Sequence, residues 1–194
     1  MEKTLQLKDG TEITIRDLRP DDVDRSLAFF RSLPTEDRIY LRNDVTKRDV
    51  VEDRIRTLPN ERIKRIVVIV DGDIVADGSL ESEGYSWKNH VAEMRLIVAR
   101  PYQRKSLGML LARELYLLAA KKRVEEIVAK VMRPQTAALK IVERLGFREQ
   151  TVLPDYVKDV DGNKHDLIVM RCKLQHLMSE LEHYFAMSDW QRSR

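Results

Sequence analysis

The stretch Val98-Ala-Arg-Pro-Tyr-Gln-Arg-Lys-Ser-Leu-Gly-Met109 joins a predicted strand to a predicted helix through a short basic loop. An apolar run at 94–99 enters it, and a helical pattern at 107–122 leaves it. A strand that turns tightly into a helix points several backbone N–H groups in one direction, at the positive end of the helix dipole. Phosphates bind at such helix N-termini. The cations Arg104 and Lys105 strengthen this attraction, so the stretch predicts an anion site.

The composition indicates one globular domain. The chain has 194 residues, of which 43% are hydrophobic and 35% are charged, and this is enough for a single domain with its own core. The net charge is only +3, and there is no dense basic run with interleaved aromatic residues, so we expect no nucleic-acid partner. The most apolar window, 107–120, contains Arg113 and Glu114 and is too short to span a bilayer. We therefore expect no membrane partner.

The cysteine content and the first residues indicate the compartment. Cys172 is the only cysteine, which excludes an internal disulfide and fits a reducing compartment. Residues 1–8 contain no apolar run of the kind that a signal peptide requires. We expect a cytoplasmic protein.

Hydrophobic periodicity predicts alternating strands and helices. Two hairpins with Asp-Gly turns are predicted at 4–15 and 63–80, and helical patterns lie between them. The later elements are predicted in the order strand (90–99), helix (107–122), strand (126–132), helix (135–145) and further strands (147–153, 156–160 and 166–174). This order predicts an α/β fold.

The C-terminal segment is predicted as an added helix. Apolar residues at helical spacing give an amphipathic pattern over 175–190. We assign 1–174 to the main domain and 175–194 to a helical extension that packs on the domain or on a second copy, as in a homodimer. His176 and His183 lie on this helix, and no Cys/His cluster in the sequence has metal-ligand spacing, so we expect no metal.

Two motifs in the predicted strand and helix pairs resemble those of the GCN5-related N-acetyltransferases (GNAT). Gln103-Arg-Lys-Ser106-Leu-Gly108 resembles the family's Gln/Arg-x-x-Gly-x-Gly/Ala, and Gln135-Thr-Ala-Ala138-Leu-Lys-Ile-Val142-Glu-Arg-Leu-Gly146-Phe147 resembles its Asn-x-x-Ala-x-x-x-Tyr-x-x-x-Gly-Phe. The resemblance covers roughly 10–174 and would make 1–174 a GNAT domain. The segment 33–42 also resembles a stretch of the bacterial protein-lysine acetyltransferase branch.

The resemblance implies a fold and a co-substrate. It implies a single GNAT-like domain with a mixed, mostly antiparallel sheet, a splayed central strand and helices on both faces. It also implies acetyl-CoA, whose pyrophosphate family members hold with loop N–H groups and whose pantetheine amides they pair with the central strand. The positions that correspond here are Leu96, Ile97 and Val98 on the strand, Gln103, Arg104, Lys105, Ser106, Leu107, Gly108 and Met109 in the loop, and Gln135 and Ala138 on the second motif.

Glu93 is the candidate base. A lysine-like amine has a pKa of about 10.4 and must lose a proton before it attacks a thioester. Val98 and Glu93 are five residues apart, roughly 17 Å at the rise of a strand, which is about the length of an extended pantetheine arm. The resemblance also places a glutamate of several family members here. A same-face ion pair with Arg95 is the structural alternative, and His90 is a second candidate.

The two motifs depart from the family at two positions. Val142 stands where the family has a tyrosine acid, so either the thiolate leaves unassisted or another tyrosine protonates it. Tyr102, Tyr116 and Tyr156 are the tyrosines we consider for this. Ser106 replaces a glycine that permits positive φ or close approach of the phosphate, although its hydroxyl can donate to a phosphate.

Two functions from different classes follow. The first is transfer of an acetyl group from acetyl-CoA to a primary amine, either a protein lysine or a small amine such as a polyamine or amino acid. The loop 82–89 with its neighbour Glu81 carries carboxylates and aromatic rings that suit a cationic substrate: Glu81, Glu83, Tyr85 and Trp87. The second is a non-catalytic acetyl-CoA-binding regulatory module of the same fold, which the changes at Ser106 and Val142 motivate.

Overall fold

The computed structural model describes residues 2–58, 60–82 and 87–187. These residues form eight strands and six α-helices. The strands are β1 (Glu2–Gln6), β2 (Glu12–Asp17), β3 (Ile63–Val70), β4 (Asp73–Ser82), β5 (Val91–Val98), β6 (Glu126–Met132), β7 (Arg148–Lys158) and β8 (Lys164–Lys173). The helices are α1 (Val23–Ser32), α2 (Thr35–Arg38), α3 (Arg48–Arg56), α4 (Leu107–Lys121), α5 (Thr136–Arg144) and α6 (Leu174–Met187), with short 3-10 turns at Pro20–Asp22 and Arg100–Tyr102.

All the strands belong to one sheet in the order β1-β2-β3-β4-β5-β6-β8-β7. Every neighbouring pair is antiparallel except β5 and β6, which run parallel. This confirms the predicted α/β fold with a mixed, mostly antiparallel sheet. The predicted hairpins at the first two Asp-Gly turns are confirmed as β1–β2 and β3–β4.

Helices cover both faces of the sheet, as predicted. Strand β3 explains why this is possible, since its side chains alternate between two apolar layers. Ile66 and Val68 pack in a cluster with α4 and α6, while Val67 packs in a second cluster with α1 and α3. A strand buried on both faces is apolar almost throughout, which is the pattern of 66–70.

Helix α4 packs directly on the middle of the sheet. A Cβ atom at Gly78 of β4 would lie 3.2 Å from side-chain atoms of Leu111 and Leu115. The absence of a side chain therefore lets α4 lie close to β4. This contact fixes the N-terminus of α4 near the end of β5.

Helix α6 begins one residue before the predicted helix and packs against α4 and β8 of its own chain. Leu177 and Leu181 are buried there. The predicted end of this helix, at 190, lies outside the described residues, and packing on a second copy stays a prediction. None of the helices in the described residues is long and apolar enough to cross a membrane.

Candidate active site

The sheet opens between β5 and β6. The two strands pair only at Val91, Ala92 and Glu93, and then β5 continues along β4 while β6 continues along β8. Within the described residues, the edge of β5 that faces β6 has no strand partner after Glu93. Ala92 to Met94 are buried, whereas 95–99 are half-buried. The opening leaves backbone groups between Leu96 and Val98 available to an extended ligand, as in β-strand addition, except the Val98 carbonyl, which accepts from the side chain of Gln103.

The loop after β5 presents the N-terminus of α4. Ser106 is its N-cap, with φ of 67° and ψ of 1°, and Arg104 also has positive φ. The first backbone bond of the helix runs from Leu110 N–H to the Ser106 carbonyl. The N–H groups of Leu107 to Met109 therefore have no acceptor inside the helix and can meet an anion. Ser106 thus adopts the left-handed conformation that glycine takes most easily.

Tyr184 of α6 contacts this loop. The hydroxyls of Ser106 and Tyr184 lie 2.7 Å apart and form a hydrogen bond. Sequence reasoning missed Tyr184, because its only signal was a place in the amphipathic pattern of the terminal helix. The hydroxyl of Ser106 therefore has a partner within the chain, besides any phosphate.

Gln103 and Lys105 make contacts within the protein. The side-chain amide of Gln103 donates to the Val98 carbonyl (2.9 Å), which closes the end of β5. Lys105 Nζ lies 2.8 Å from a carboxylate oxygen of Asp9 and 5.6 Å from the centre of the Tyr102 ring. Hydrogen bonds from Lys105 and Thr11 hold the pKa of Asp9 well below its usual range. Lys105 is thus already partly neutralised, while Arg104 is exposed.

The residues of this end of the sheet fit a phosphate-bearing, extended ligand. A Cβ atom at Gly108 would meet only Val98 Cγ2, at 3.8 Å, so the fold itself does not require a glycine there. A glycine in the first turn of α4 leaves room for the close approach of a pyrophosphate. The unpaired edge of β5 begins beside it, and together these features suit a ligand with a phosphate group at one end and an extended chain.

The second motif lies at the same end of the sheet. Strands β5 and β6 are parallel, so the helices that follow them, α4 and α5, both begin at the carboxyl ends of those strands. Gln135 is the N-cap of α5, and its side-chain oxygen accepts a hydrogen bond from Met132 N–H (2.9 Å). Ala138 is half-buried on α5. The opening therefore has the predicted loop on one side and the predicted helix on the other.

Glu93 lies at the point where the strands separate and is 9% exposed. One of its carboxylate oxygens accepts from Arg42 (2.7 Å) and Arg95 (2.8 Å), and the other from Lys130 (2.9 Å). The predicted same-face pair with Arg95 is present. Sequence reasoning missed Arg42 and Lys130, which come from the α2–α3 loop and from β6.

Burial and ion pairing act on Glu93 in opposite directions. Burial alone raises the pKa of a carboxyl group, but the hydrogen bonds and charges of Arg95, then Lys130 and Arg42, outweigh it and hold the pKa of Glu93 below its usual range. Glu93 is therefore ionised at neutral pH and able to accept a proton. The three cations also make it a weaker base than an unpaired glutamate.

The other candidates for proton transfer make no hydrogen bond to Glu93 among the described residues. His90 uses its carbonyl to accept from the N–H groups of Glu125 and Glu126 at the start of β6. Val142 packs on the core, and so do Tyr102 and Tyr116, each half-buried. Tyr156 is exposed on β7. Among the described residues, none of the three tyrosines is hydrogen-bonded to Glu93.

A cavity of about 770 Å³ lies on the face of the sheet that carries Glu93 and Arg95. Helices α1 and α3 and the α2–α3 loop form its walls, and β3 to β5 form its floor. The lining residues are Phe30, Leu41, Arg42, Asn43, Asp44, Val45, Asp49, Val50, Asp53, Arg54, Thr57, Arg65, Asp77, Ser79, Arg95, Leu96 and Ile97. Arg42 and Arg95 connect this cavity to Glu93, so the cavity and the opening of the sheet are adjacent.

Glu81 is not a free carboxylate for a cationic substrate. It lies opposite Glu93 on β4 and is paired with Arg95 (2.8 Å) and Arg65 (3.4 Å). Glu83 and Tyr85 lie outside the described residues, and Trp87 is exposed. The contribution of these residues to binding a cationic substrate stays a prediction.

Cys172 is a core residue, as interpreted from the sequence. It is buried and burial raises the pKa of its thiol to about 11, so it is protonated at neutral pH. In the part of the chain that the structure describes, no group of three or more His, Cys, Asp and Glu side chains is arranged to hold a metal ion.

The sheet thus opens beside a helix N-terminus whose first N–H groups have no acceptor inside the helix, next to a cavity of about 770 Å³. A sequence model of the acetyltransferase (GNAT) family matches residues 27–147, which is more than half of the chain. The chain therefore belongs to the GNAT family, as predicted, and members of this family are generally acetyl-CoA-dependent N-acetyltransferases.

Solved structures support the fold. The GNAT domain of S. lividans PAT is similar with a TM-score of 0.72 at 15% identity, covering 89% of this chain and 96% of that one. The ribosomal-protein-S5-alanine acetyltransferase from Vibrio fischeri has a TM-score of 0.73 at 13% identity, covering 88% and 96%. A spermidine N-acetyltransferase chimera from Vibrio cholerae and hSSAT has a TM-score of 0.70 at 18% identity, covering 86% and 98%.

Proposed function

We propose that the chain transfers the acetyl group of acetyl-CoA to a primary amine. The observation that carries this proposal is the separation of β5 from β6 directly after Glu93, with the N-terminus of α4 at the far end of the same strand. A ligand with a pyrophosphate at one end and an extended amide chain matches these two features. Its acyl end then falls beside Glu93 and the cavity.

The residues that hold the co-substrate follow from this placement. The backbone N–H groups from Arg104 to Met109 would bind the pyrophosphate, and Gly108 would leave space for it. The edge of Leu96 to Val98 would pair with the pantetheine amides, with Gln103 supporting the end of the strand. Gln135 and Ala138 would contact the ligand from the side of α5.

Glu93 is our candidate for the base, directly or through a water molecule. It is ionised, it lies where the opening begins, and it is adjacent to the cavity from which an amine would approach. With valine at 142, either the thiolate of CoA leaves without a protein acid or another tyrosine protonates it.

We expect Glu93→Gln to lower kcat by about 10²- to 10⁴-fold, which is the usual contribution of a general base. Because Glu93 also holds three cations, the variant is compared with wild type by urea denaturation and by its pH–rate profile. Loss of the base would change the acidic limb of the profile, whereas loss of structure alone would not. Glu149→Gln, on an exposed part of β7, is the matched control, and an unchanged kcat in Glu93→Gln would exclude Glu93 as the base.

The function itself is tested by incubating the protein with acetyl-CoA and a panel of primary amines that includes lysine-bearing peptides, while free thiol is followed. We expect thiol release that depends on one class of amine and saturates with acetyl-CoA. Saturable CoA binding without thiol release for any amine would contradict the proposal. It would favour the second candidate, a non-catalytic acetyl-CoA-binding module. The fully paired carboxylate of Glu93 and the valine at 142 are the observations that favour this second candidate.

A further inference from the structure

The cavity beside Glu93 has the size of a small-molecule site. Its volume of about 770 Å³ lies within the range of roughly 300–1,000 Å³ that is usual for such sites. Apolar side chains of Phe30, Leu41 and Ile97 contribute to its walls, and charged side chains form much of its floor. The chemistry of that floor decides what the cavity can bind.

Three neighbouring strands bring charged groups into one row of the floor. Arg65 of β3 is in register with Ser79 of β4, and Ser79 is in register with Arg95 of β5. Asp77 lies next along β4 on the same face and is paired with Arg54 of α3. All of these residues line the cavity.

Three arginines that line the cavity pair with three carboxylates, in a network whose members are Arg54, Arg65, Arg95, Asp77, Glu81 and Glu93. At the mouth, the exposed charged residues are Arg42, Asp44, Asp49 and Asp53. Charges in water are screened far more strongly than charges on a buried floor.

Two arginines of the network have N–H donors without an acceptor in the described part of the chain. Among the described side chains, Arg54 Nη1 and Arg65 Nε are buried and have no acceptor. Burial and the neighbouring charge of Arg54 lower the pKa of Arg65 to about 10. Buried donors without an acceptor are unfavourable, and a carboxylate is the group whose geometry matches an arginine fork.

We infer that this cavity binds an acceptor that carries a carboxylate on the same small molecule as its amine, as an amino acid does. The inference rests on the proposed acetyl transfer for the fate of the amine, but the binding of the carboxylate is independent of it. Polyamines carry several positive charges and no anion, so they offer no acceptor to the buried donors of Arg54 and Arg65.

The test begins with binding, which requires no acetyl transfer. The melting temperature of the CoA-saturated protein is measured with each of the twenty L-amino acids, with the corresponding C-terminal amides and with spermidine. We expect at least one amino acid to raise the melting temperature, and its amide to need at least about tenfold higher concentration for the same shift, since a charge-assisted hydrogen bond is lost. Thiol release from acetyl-CoA is then followed for the same compounds and should show the same preference.

Variants of Arg65 test the floor directly. Arg65→Gln should weaken binding of the preferred amino acid at least about tenfold and leave the binding of its amide unchanged. Arg65→Lys keeps the charge and should retain part of the affinity. Arg171→Gln is the control, because Arg171 is partly exposed and pairs with Glu126 away from the cavity.

The outcomes separate the inference from the proposed function. Equal or better binding of amides or spermidine, or no binding of any amino acid, would overturn the inference. Selective binding of an amino acid without thiol release would leave the inference standing and contradict the acetyltransferase. Equal thiol release from amino acids and from their amides would support the acetyltransferase and overturn the inference.

Discussion

Ser106 links the candidate cofactor loop to the C-terminal helix. Its backbone has positive φ, which costs a residue with a side chain about 1–2 kcal/mol, and its hydroxyl is bonded to Tyr184. The hydrogen bond offsets part of this cost. The serine therefore replaces the flexibility of glycine with a contact that holds the loop in one conformation.

We expect a double-mutant cycle of Ser106→Ala and Tyr184→Phe to give a coupling energy of about 0.5–1.5 kcal/mol, the usual net contribution of one hydrogen bond. The free energy of unfolding is measured in urea for both single variants and the double variant. Ser106→Ala with Tyr116→Phe is the control cycle, since Tyr116 is half-buried on α4 and makes no hydrogen bond with Ser106. A coupling below about 0.3 kcal/mol would show that the bond adds nothing.

Asp22 forms a buried ion pair that joins the turn before α1 to β2. Its two carboxylate oxygens accept from Arg16 at 2.6 and 2.8 Å, and one of them also accepts from Arg19 N–H (2.9 Å). Burial alone raises the pKa of Asp22, but these hydrogen bonds reverse the effect and lower it. The stabilisation is therefore complete above the unfolded pKa of about 3.9 and is lost as the pH falls through the folded pKa.

We expect Asp22→Asn to lower the free energy of unfolding at pH 7 by about 3–5 kcal/mol, because it leaves the Arg16 charge buried without its partner. The difference from wild type should shrink only as the pH falls below about 3.9, towards the lower pKa at which Asp22 of the folded wild type becomes protonated. Asp24→Asn, at an exposed ion pair with Arg48, should cost less than about 1 kcal/mol. A difference that grows on acidification would contradict the assigned pKa direction.

The turn after α5 is shaped by two separate requirements for glycine. Gly146 has φ of 84°, and a Cβ atom there would lie 2.7 Å from His176 Cδ2 of α6. The motif glycine is thus needed both for the end of α5 and for the packing of α6. Sequence spacing alone could not show that the glycine of the family motif also packs against the C-terminal helix.

We expect Gly146→Ala to destabilise the protein by more than Gly162→Ala, which has φ of 86° but nothing within 4 Å of the new Cβ. The Gly162 variant should cost about 1–2 kcal/mol from φ alone, and the Gly146 variant should cost more, because the ring of His176 must also move aside. Urea denaturation of both variants measures the difference. Equal losses of unfolding free energy in the two variants would mean that α6 moves away from the new side chain without an energetic cost.

The sheet places the two halves of the proposed reaction on adjoining surfaces. The opening between β5 and β6 would take the co-substrate, and the cavity on the α1 and α3 face would take the amine, with Glu93 at their junction. The opening exists because β6 turns to follow β8 instead of β5. No local sequence pattern specifies that divergence, which depends on how eight strands share one twisted sheet.

The amino-acid sequence by itself determined the elements, the α/β class and the loop that is proposed to bind the co-substrate. Alternating and helical periodicity, the Asp-Gly turns and the loop 98–109 are local signals, and local backbone physics is enough to interpret them. Only the tertiary structure decided that Glu93 is shared by Arg42, Arg95 and Lys130, and that Glu81 is paired instead of free. These charges are far apart in the chain, and their pairing depends on strand register and helix packing, which single-residue patterns do not encode.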